Sequence, residues 1–290
     1  MRRTWDKFFR RLPGLVKYIL AALLGLAFCL PVLVLFWGSL ADDPEWRGRV
    51  AAILEDSDAY IHWQWIPDYP TLEHYRDLLF YTPSFLVLFW NSIKLSGGIL
   101  LGQLLVGVPA AWAFAVYRFR LRNILFSLYV ILMLLPFQVT QLSKYLVLSK
   151  VNLLDTHWAV ILPAVFSTFP VFLIYRSFAG LPGELFEAAR MDGAGELRLF
   201  VEIGLPLGQS GILAAVILGF LECWNMMEEP LAFLKTRSLW PLSLYLPEIA
   251  LSQAGGACVA SVITLTVSLF VFALFQDSLE QGIVASGLKI

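Results

Sequence analysis

Residues 18–40 read YILAALLGLAFCLPVLVLFWGSL, a run without one Asp, Glu, Lys or Arg. About 20 such residues, helical at about 1.5 Å each, cross the roughly 30 Å of hydrocarbon in a bilayer. The run is long enough to span a membrane, and its flanks orient it. Before it stand Arg2, Arg3, Lys7, Arg10, Arg11 and Lys17 against a single acid, Asp6. After it, residues 41–77 carry nine acids and only Arg47, Arg49 and Arg76. Basic residues stay on the cytoplasmic side. The N-terminus is therefore expected inside and residues 41–77 outside. The run exceeds a signal-peptide core and lacks an Ala-rich cleavage context, so a cleaved leader is not expected.

Working outward, five more charge-free runs follow: Leu95–Tyr117, Asn123–Ser143, Thr156–Tyr175, Ile203–Leu221 and Ile249–Gln276. Leu78–Ser92 is shorter and interrupted by Pro83, and reads as an interfacial lead-in to the second span. The composition agrees: 59% hydrophobic and 15% charged, where soluble domains carry about 25% charge. These figures exclude a disordered chain, a coiled coil and a collagen-like fibre. The expected fold class is an all-α polytopic membrane protein with six transmembrane helices.

The expected organisation is a basic cytoplasmic segment (1–17), a first span (18–40) and an acidic, aromatic outer segment (41–84). A core of spans (85–276) and a cytoplasmic tail (277–290) follow. With six spans both termini lie in the cytoplasm. The aromatics Tyr60, Trp63, Trp65, Tyr69 and Tyr75 of the outer segment suit an interface belt.

Cys29, Cys223 and Cys258 are odd in number and show neither disulfide nor metal spacing. His62, His74 and His157 fall outside the spans or at their outer edge, and no HExxH or paired-carboxylate pattern occurs. Neither a catalytic set, a metal site nor a cofactor is expected. No GxxxxGK[ST] sequence is present, so nucleotide hydrolysis is not expected on this chain.

Six spans need only a short turn between the fourth and fifth, yet residues 176–202 intervene, with five acids and three arginines. Pro182 can open a helix over Gly183–Asp192, with Glu184 and Glu187 early and Arg190 late against the helix dipole. Gly193 can stop it in a left-handed conformation. A second short helix is expected at 195–201, leading back to the membrane and ending before Pro206. The first helix is small and apolar on one side, through Leu185, Ala188 and Ala189, joined partly by Phe186 and Met191, and charged on the other. Two readings are open from the residues alone: a helix that docks into a cleft of another cytoplasmic protein, or one that covers the inner ends of its own bundle.

Glu187-Ala188-Ala189, Gly193, Ile203 and Leu205-Pro206 stand at the spacing of the EAA signature of bacterial ABC importer permeases. From about Tyr69 onward the chain resembles the MalG-like, carbohydrate-type permeases. PTLEHY (70–75), FWNS (89–92), RFRLRN (118–123), LLPFQV (134–139), LLDTHWAVILP (153–163), FLECWNMMEEPL (220–231) and VASGLKI (284–290) carry the likeness. Ser143-Lys144 departs from it, since many relatives have a proline and an apolar or small residue there. The resemblance implies a type I ABC importer permease fold in the bacterial cytoplasmic membrane, surrounded by lipid and without nucleic-acid partners. It also implies a second homologous permease subunit, two copies of an ABC ATPase subunit and an extracytoplasmic solute-binding protein. On it, Glu187, Ala188, Ala189, Arg190, Asp192, Gly193, Leu205 and Pro206 form the ATPase-coupling element, and the cargo is a sugar, oligosaccharide or related polyol compound.

Polar residues inside spans are candidates for function. Lys94, Gln103, Thr140, Ser167 and Thr168 are such residues, and Glu222, Glu228 and Glu229 cluster near the end of the fifth span. Gln138, Gln141, Trp224 and Asn225 are the candidates for a substrate pathway or gate: amides pair with hydroxyls, and an indole can cover a sugar ring. The rival class is a proton- or sodium-coupled secondary carrier. It often shows inverted repeats and midplane charges, and the sequence offers neither a repeat nor a recognisable buried ion pair.

Overall fold

Long charge-free runs become long helices in the computed structural model, which describes residues 14–46, 48, 66–246 and 253–287. Five helices among the described residues are long and apolar enough to cross a membrane: Tyr18–Ser39, Pro83–Val116, His157–Ala179, Glu196–Trp224 and Ala254–Asp277. One bent helix pair raises the number to as many as six. The expected basic segment before residue 14, the aromatics Tyr60, Trp63 and Trp65, and residues 288–290 lie outside the described residues.

The first of two units comprises residues up to Pro83 together with Ile249–Thr264. Helix α1 (Gly14–Ser39) is apolar all round, and its most hydrophobic window buries nothing in the isolated chain. Such a helix is stable only in an apolar surround, a bilayer or a partner. Its C-terminal end is tied to α2 (Glu73–Arg76): Ser39 Oγ and Tyr75 OH share a hydrogen bond of 2.8 Å, and Thr71 N donates to Leu40 O.

The second unit, Ser84–Glu248 and Leu265–Ile290, holds the functional candidates. Helix α3 (Pro83–Val116) is 34 residues long. It takes in Pro83–Ser92 of the Leu78–Ser92 stretch, so the lead-in runs without a break into the second span; Asp77–Tyr81 winds separately, as a π-turn after α2. Pro83 sits at the first helical position, where its missing N–H costs nothing.

Pro136 is expected to bend the third span, and that span is two helices, α4 (Arg122–Leu134) and α5 (Phe137–Lys150), bent by 103°. Proline drives its predecessor out of the helical region, and Leu135 accordingly takes ψ of 133°; Pro136 is extended as well, at ψ 136°. The fourth span is α6 (His157–Val165) and α7 (Thr168–Ala179), interrupted at Phe166–Ser167. Helix α8 (Gly183–Met191) is the expected cytoplasmic helix.

The second short helix at 195–201 does not exist as a separate element. α9 (Glu196–Arg198) runs through a π-turn, Leu199–Gly204, straight into α10 (Leu205–Trp224). The wider turn accommodates Pro206, whose ring would otherwise meet the preceding carbonyls. The later elements among the described residues are α11 (Glu228–Phe233), a 3-10 turn at Arg237–Leu239, α12 (Leu242–Tyr245) and α13 (Ala254–Gly287).

Small residues let the helices of this unit approach closely. A Cβ on Gly208 of α10 would overlap the Phe178 ring of α7, and one on Gly211 would overlap Ser177. Two apolar clusters result. One gathers Val108, Trp112, Ile174, Phe178, Phe186 and Leu199. The other gathers Leu95, Ile99, Val160, Cys223, Phe233 and Leu234. α3 and α10 contribute to both.

Candidate functional site: a helix anchored by one aromatic ring and a cavity at three helix breaks

Helix α8 is nine residues long, too short to be stable in water unaided. Its single buried residue is Phe186, 6% exposed. The Phe186 ring meets Trp112 of α3 edge-on at 5.3 Å, and Trp112 also meets Phe178 of α7 at 5.2 Å and Phe200 at 5.5 Å. One indole thus joins α8 to the two long helices and to α7.

Ala189 packs on the same cluster. The apolar residues of α8 therefore divide. Phe186 and Ala189 face the chain's own bundle, while Leu185, Ala188 and Met191 stay exposed beside Glu184 and Glu187. Both readings of this helix have a residue set: an inward face that covers the bundle and an outward face left uncovered.

The end of α8 is closed by a Schellman motif. Gly193 takes φ +82°, its N–H donates to Arg190 O, and Ala194 N donates to Ala189 O. Asp192, at the C-cap, is exposed. Arg190 is turned to internal work. Nε donates to Glu196 Oε1 at 2.9 Å and Nη2 to Oε2 at 3.3 Å, a two-pronged bridge across the turn. Glu196 accordingly holds the Arg190 guanidinium pKa above its ordinary value. Leu205 packs against the Trp112 cluster and Pro206 lies exposed at the start of α10.

At the other end of the unit, three helix breaks meet around a cavity of about 650 Å³. The α4–α5 break contributes Leu135, Phe137, Thr140 and Lys144; the α6–α7 break, Phe166 and Ser167; the α10–α11 turn, Glu222, Asn225, Glu228 and Glu229. Irregular backbone within an apolar layer is tolerated where it lines such a cavity or is met by protein donors. Gln103 of α3 is one such donor, its Nε2 bonding to Ala164 O at 2.9 Å.

Lys144 Nζ bonds to Glu229 Oε1 at 2.5 Å, with the Glu229 side chain only 10% exposed. The sequence offered no recognisable buried ion pair; the structure holds this part-buried one, with the carboxylate inside and Lys144 partly exposed. The partners stand 85 residues apart, beyond the reach of any spacing rule. The one signal was Lys144 itself, which ends the charge-free run at Ser143 and departs from the family pattern.

The pathway candidates separate. Asn225 lines the cavity, with its Nδ2 donating to Leu221 O. Gln141 donates to Glu228 O at the rim, and Gln138 is exposed on the same helix, outside the lining. Trp224 is 2% exposed, packed between Phe89 and Phe220, and does not line the cavity. Gln103, Thr140, Ser167, Thr168, Glu222, Glu228 and Glu229 are the polar side chains that join Asn225 and Lys144 there.

Two further motifs serve architecture. Asn91 Nδ2 donates to the carbonyls of Ser238 and Trp240, and Ser92 Oγ accepts Leu242 N. Asp155, at φ 60°, receives Lys235 N, Thr236 N and Thr236 Oγ1. The Thr236 bonds hold its carboxyl pKa below the ordinary carboxylate value.

Residues 103–285 match the family model described as "Binding-protein-dependent transport system inner membrane component". The chain belongs to that family. It is a permease, a transport component of a multi-pass inner-membrane system. It is 33% identical over 204 residues to the arabinooligosaccharides transport system permease protein AraQ of Halalkalibacterium halodurans, covering 69% of this chain and 73% of AraQ. Over 210 residues it is 32% identical to the sn-glycerol-3-phosphate transport system permease protein UgpE of Yersinia pestis, covering 71% and 74%.

The permease also superposes on a chain from the crystal structure of a bacterial ABC transporter that imports the acidic polysaccharide alginate. The TM-score is 0.77 at 20% identity, over 94% of this chain and 96% of that one. That likeness is one of fold, the type I ABC importer permease fold. The relatives span several transport systems, so the membership is of the carbohydrate-type ABC permeases broadly and not of MalG in particular.

Proposed function

We propose that the chain is one permease subunit of an ATP-driven, binding-protein-dependent importer. It carries a sugar, oligosaccharide or related polyol compound across the cytoplasmic membrane. A second homologous permease completes the pathway, two copies of an ABC ATPase subunit sit beneath, and a solute-binding protein delivers cargo from outside. Both termini are cytoplasmic, α8 lies on the cytoplasmic side and the acidic segment 41–84 lies outside.

The observation that carries this reading is the outward face of α8. Leu185, Ala188 and Met191 are exposed around Glu187, on a helix anchored from behind by Phe186 and stopped by Gly193. Small side chains there let a groove approach closely, and Glu187 supplies the polar contact. Arg190 acts inside the loop, keeping the angle between α8 and α9, rather than reaching the ATPase. The carbohydrate assignment draws on relatives named for arabinooligosaccharide and lactose transport.

The Lys144–Glu229 pair also suits a proton- or sodium-coupled carrier. Family membership and the exposed face of α8 weigh for the ATP-driven reading. Purification of the tagged chain in mild detergent, with partners identified by mass spectrometry, tests it. A second permease and an ATPase in stoichiometric amount are expected. The chain alone, even after crosslinking, would overturn it. Glu187→Lys is expected to abolish uptake while membrane insertion stays normal; wild-type uptake in that variant would remove the coupling role.

A further inference from the structure

We propose that the cavity at the three helix breaks sorts cargo by charge, admitting neutral polyhydroxylated or cationic solutes and rejecting anionic ones. Glu222, Glu228 and Glu229 are the discriminating side chains. The proposal rests on the reading of the chain as an importer permease and adds a property of the cargo that neither fold nor family sets.

The charged residues lining the cavity are one lysine and three glutamates, a formal net charge of -2 when all are ionised. The lysine is engaged, since Lys144 is paired with Glu229 Oε1. Glu229 is 8% exposed, and its second oxygen is buried without a hydrogen-bond partner. A buried acceptor left unsatisfied favours a ligand that brings a donor. Glu222 and Glu228 are exposed on the cavity wall and make no ion pair among the described residues.

Carboxylates only accept hydrogen bonds. Sugar hydroxyls and ammonium groups donate to them. The anionic group of a phosphate ester or a uronate instead meets them with acceptor oxygens and a like charge, whatever hydroxyls the rest of the molecule carries. The remaining wall includes Phe137, Phe166 and Met227, apolar low-dielectric surface of the kind that focuses field lines. At about 650 Å³ the cavity has room for a small saccharide. Relatives named for glycerol phosphate and alginate transport therefore share the fold of this permease without sharing its preferred cargo charge.

Thiol labelling tests the proposal on the purified complex in nanodiscs. Asn225→Cys is introduced with Cys29→Ser and Cys223→Ala. Labelling rates are measured with a cationic (trimethylammonium-ethyl) and an anionic (sulfonatoethyl) methanethiosulfonate. Each rate is normalised to the same reagent's rate with 2-mercaptoethanol. The cation is expected to be favoured by at least about tenfold, the lower end of focusing in charged clefts. The preference should fall toward one in Glu222→Gln/Glu228→Gln. A ratio at or below one in the parent, or a ratio indifferent to the glutamine changes, would overturn the proposal. Thr140→Cys on α5 provides a second reporter should Asn225→Cys fail to assemble. Labelling reads the cavity whether or not an ATPase co-purifies, so failure of the charge filter and failure of the importer reading are distinguishable.

Discussion

Truncation of Phe186 to alanine isolates what holds α8 in place. The ring is the helix's one buried side chain, 6% exposed, edge-on to Trp112 at 5.3 Å. Phe→Ala changes at buried sites cost about 3–5 kcal/mol, of which an aromatic pair accounts for roughly 0.5–1.5 kcal/mol. At the lower bound, about 3 kcal/mol changes the ratio of docked to undocked helix on the order of a hundredfold. The loss is local, because the Trp112 cluster keeps Phe178, Ile174 and Leu199. Hydrogen exchange of the α8 amides in the assembled complex is the direct assay. Protection is expected to fall by on the order of a hundredfold, the same free energy read as an opening equilibrium. Amides of α3 and α10 should change little, and Phe186→Leu should stay near the parent. Transport per ATP hydrolysed should drop with α8 protection. Unchanged exchange in Phe186→Ala would refute the anchoring argument; lost protection with full coupling would refute the role given to α8.

Three further changes probe the supports around the two candidate regions. Gly193→Val places a β-branched residue at φ +82°; it should cost about 1–2 kcal/mol and raise exchange at the end of α8, with Gly193→Asn milder. Asn91→Leu leaves the Ser238 and Trp240 carbonyls unmatched; a loss of about 1–3 kcal/mol should lower the Tm in detergent without altering insertion. Asp155 has a pKa depressed by its Thr236 bonds, so its contribution is present above the ordinary carboxylate value near about 4 and fades as pH falls through the lowered pKa. Asp155→Asn should therefore lower stability most at neutral pH, the difference from the parent narrowing below about pH 4; a difference independent of pH would count against the clasp.

What the sequence made legible was local chemistry. Charge-free runs located the spans because bilayer thickness sets their length. Pro182 and Gly193 bounded α8 because each has a conformational reason to stand at a helix end. The apolar face of α8 was harder. Leu185, Ala188 and Ala189 looked like one side, yet Ala189 turns inward with Phe186, and only the position of Trp112 decides which way the helix rolls. The bend at Leu135–Pro136 was expected from proline, but not its 103°, since that angle reflects where α5 finds Glu229 and Gln141 finds the Glu228 carbonyl. Pro206 misled in the opposite sense: a π-turn let α9 run on where a break was expected. Lys144 registered as an oddity of family pattern, although its meaning lies in a carboxylate 85 residues away.

The two candidate regions are joined by the same pair of helices. α3 brings Trp112 to the α8 end and Gln103 to the cavity, and the α9–α10 helix brings Leu199 and Phe200 to one end and Glu222 to the other. From Leu199 to Glu222 that helix is about 35 Å long at helical rise, so displacement at Trp112 reaches the cavity as rigid motion rather than as a chain of small adjustments. The cavity end is built to respond, since its walls are the broken ends of three helices, where hinging costs few ladder hydrogen bonds. The Lys144–Glu229 pair crosses that region between α5 and α11. Movement of α10 relative to α5 must therefore either leave α11 behind with α5, by hinging at the α10–α11 turn, or part the pair, and parting it leaves a carboxylate in a poorly hydrated place. Such a cost favours two discrete packings over a continuum. On the importer reading, that is what an ATP-driven switch requires: α8 biases one packing from the cytoplasm, and a donor-rich cargo lowers the cost of the other by meeting the carboxylates it exposes.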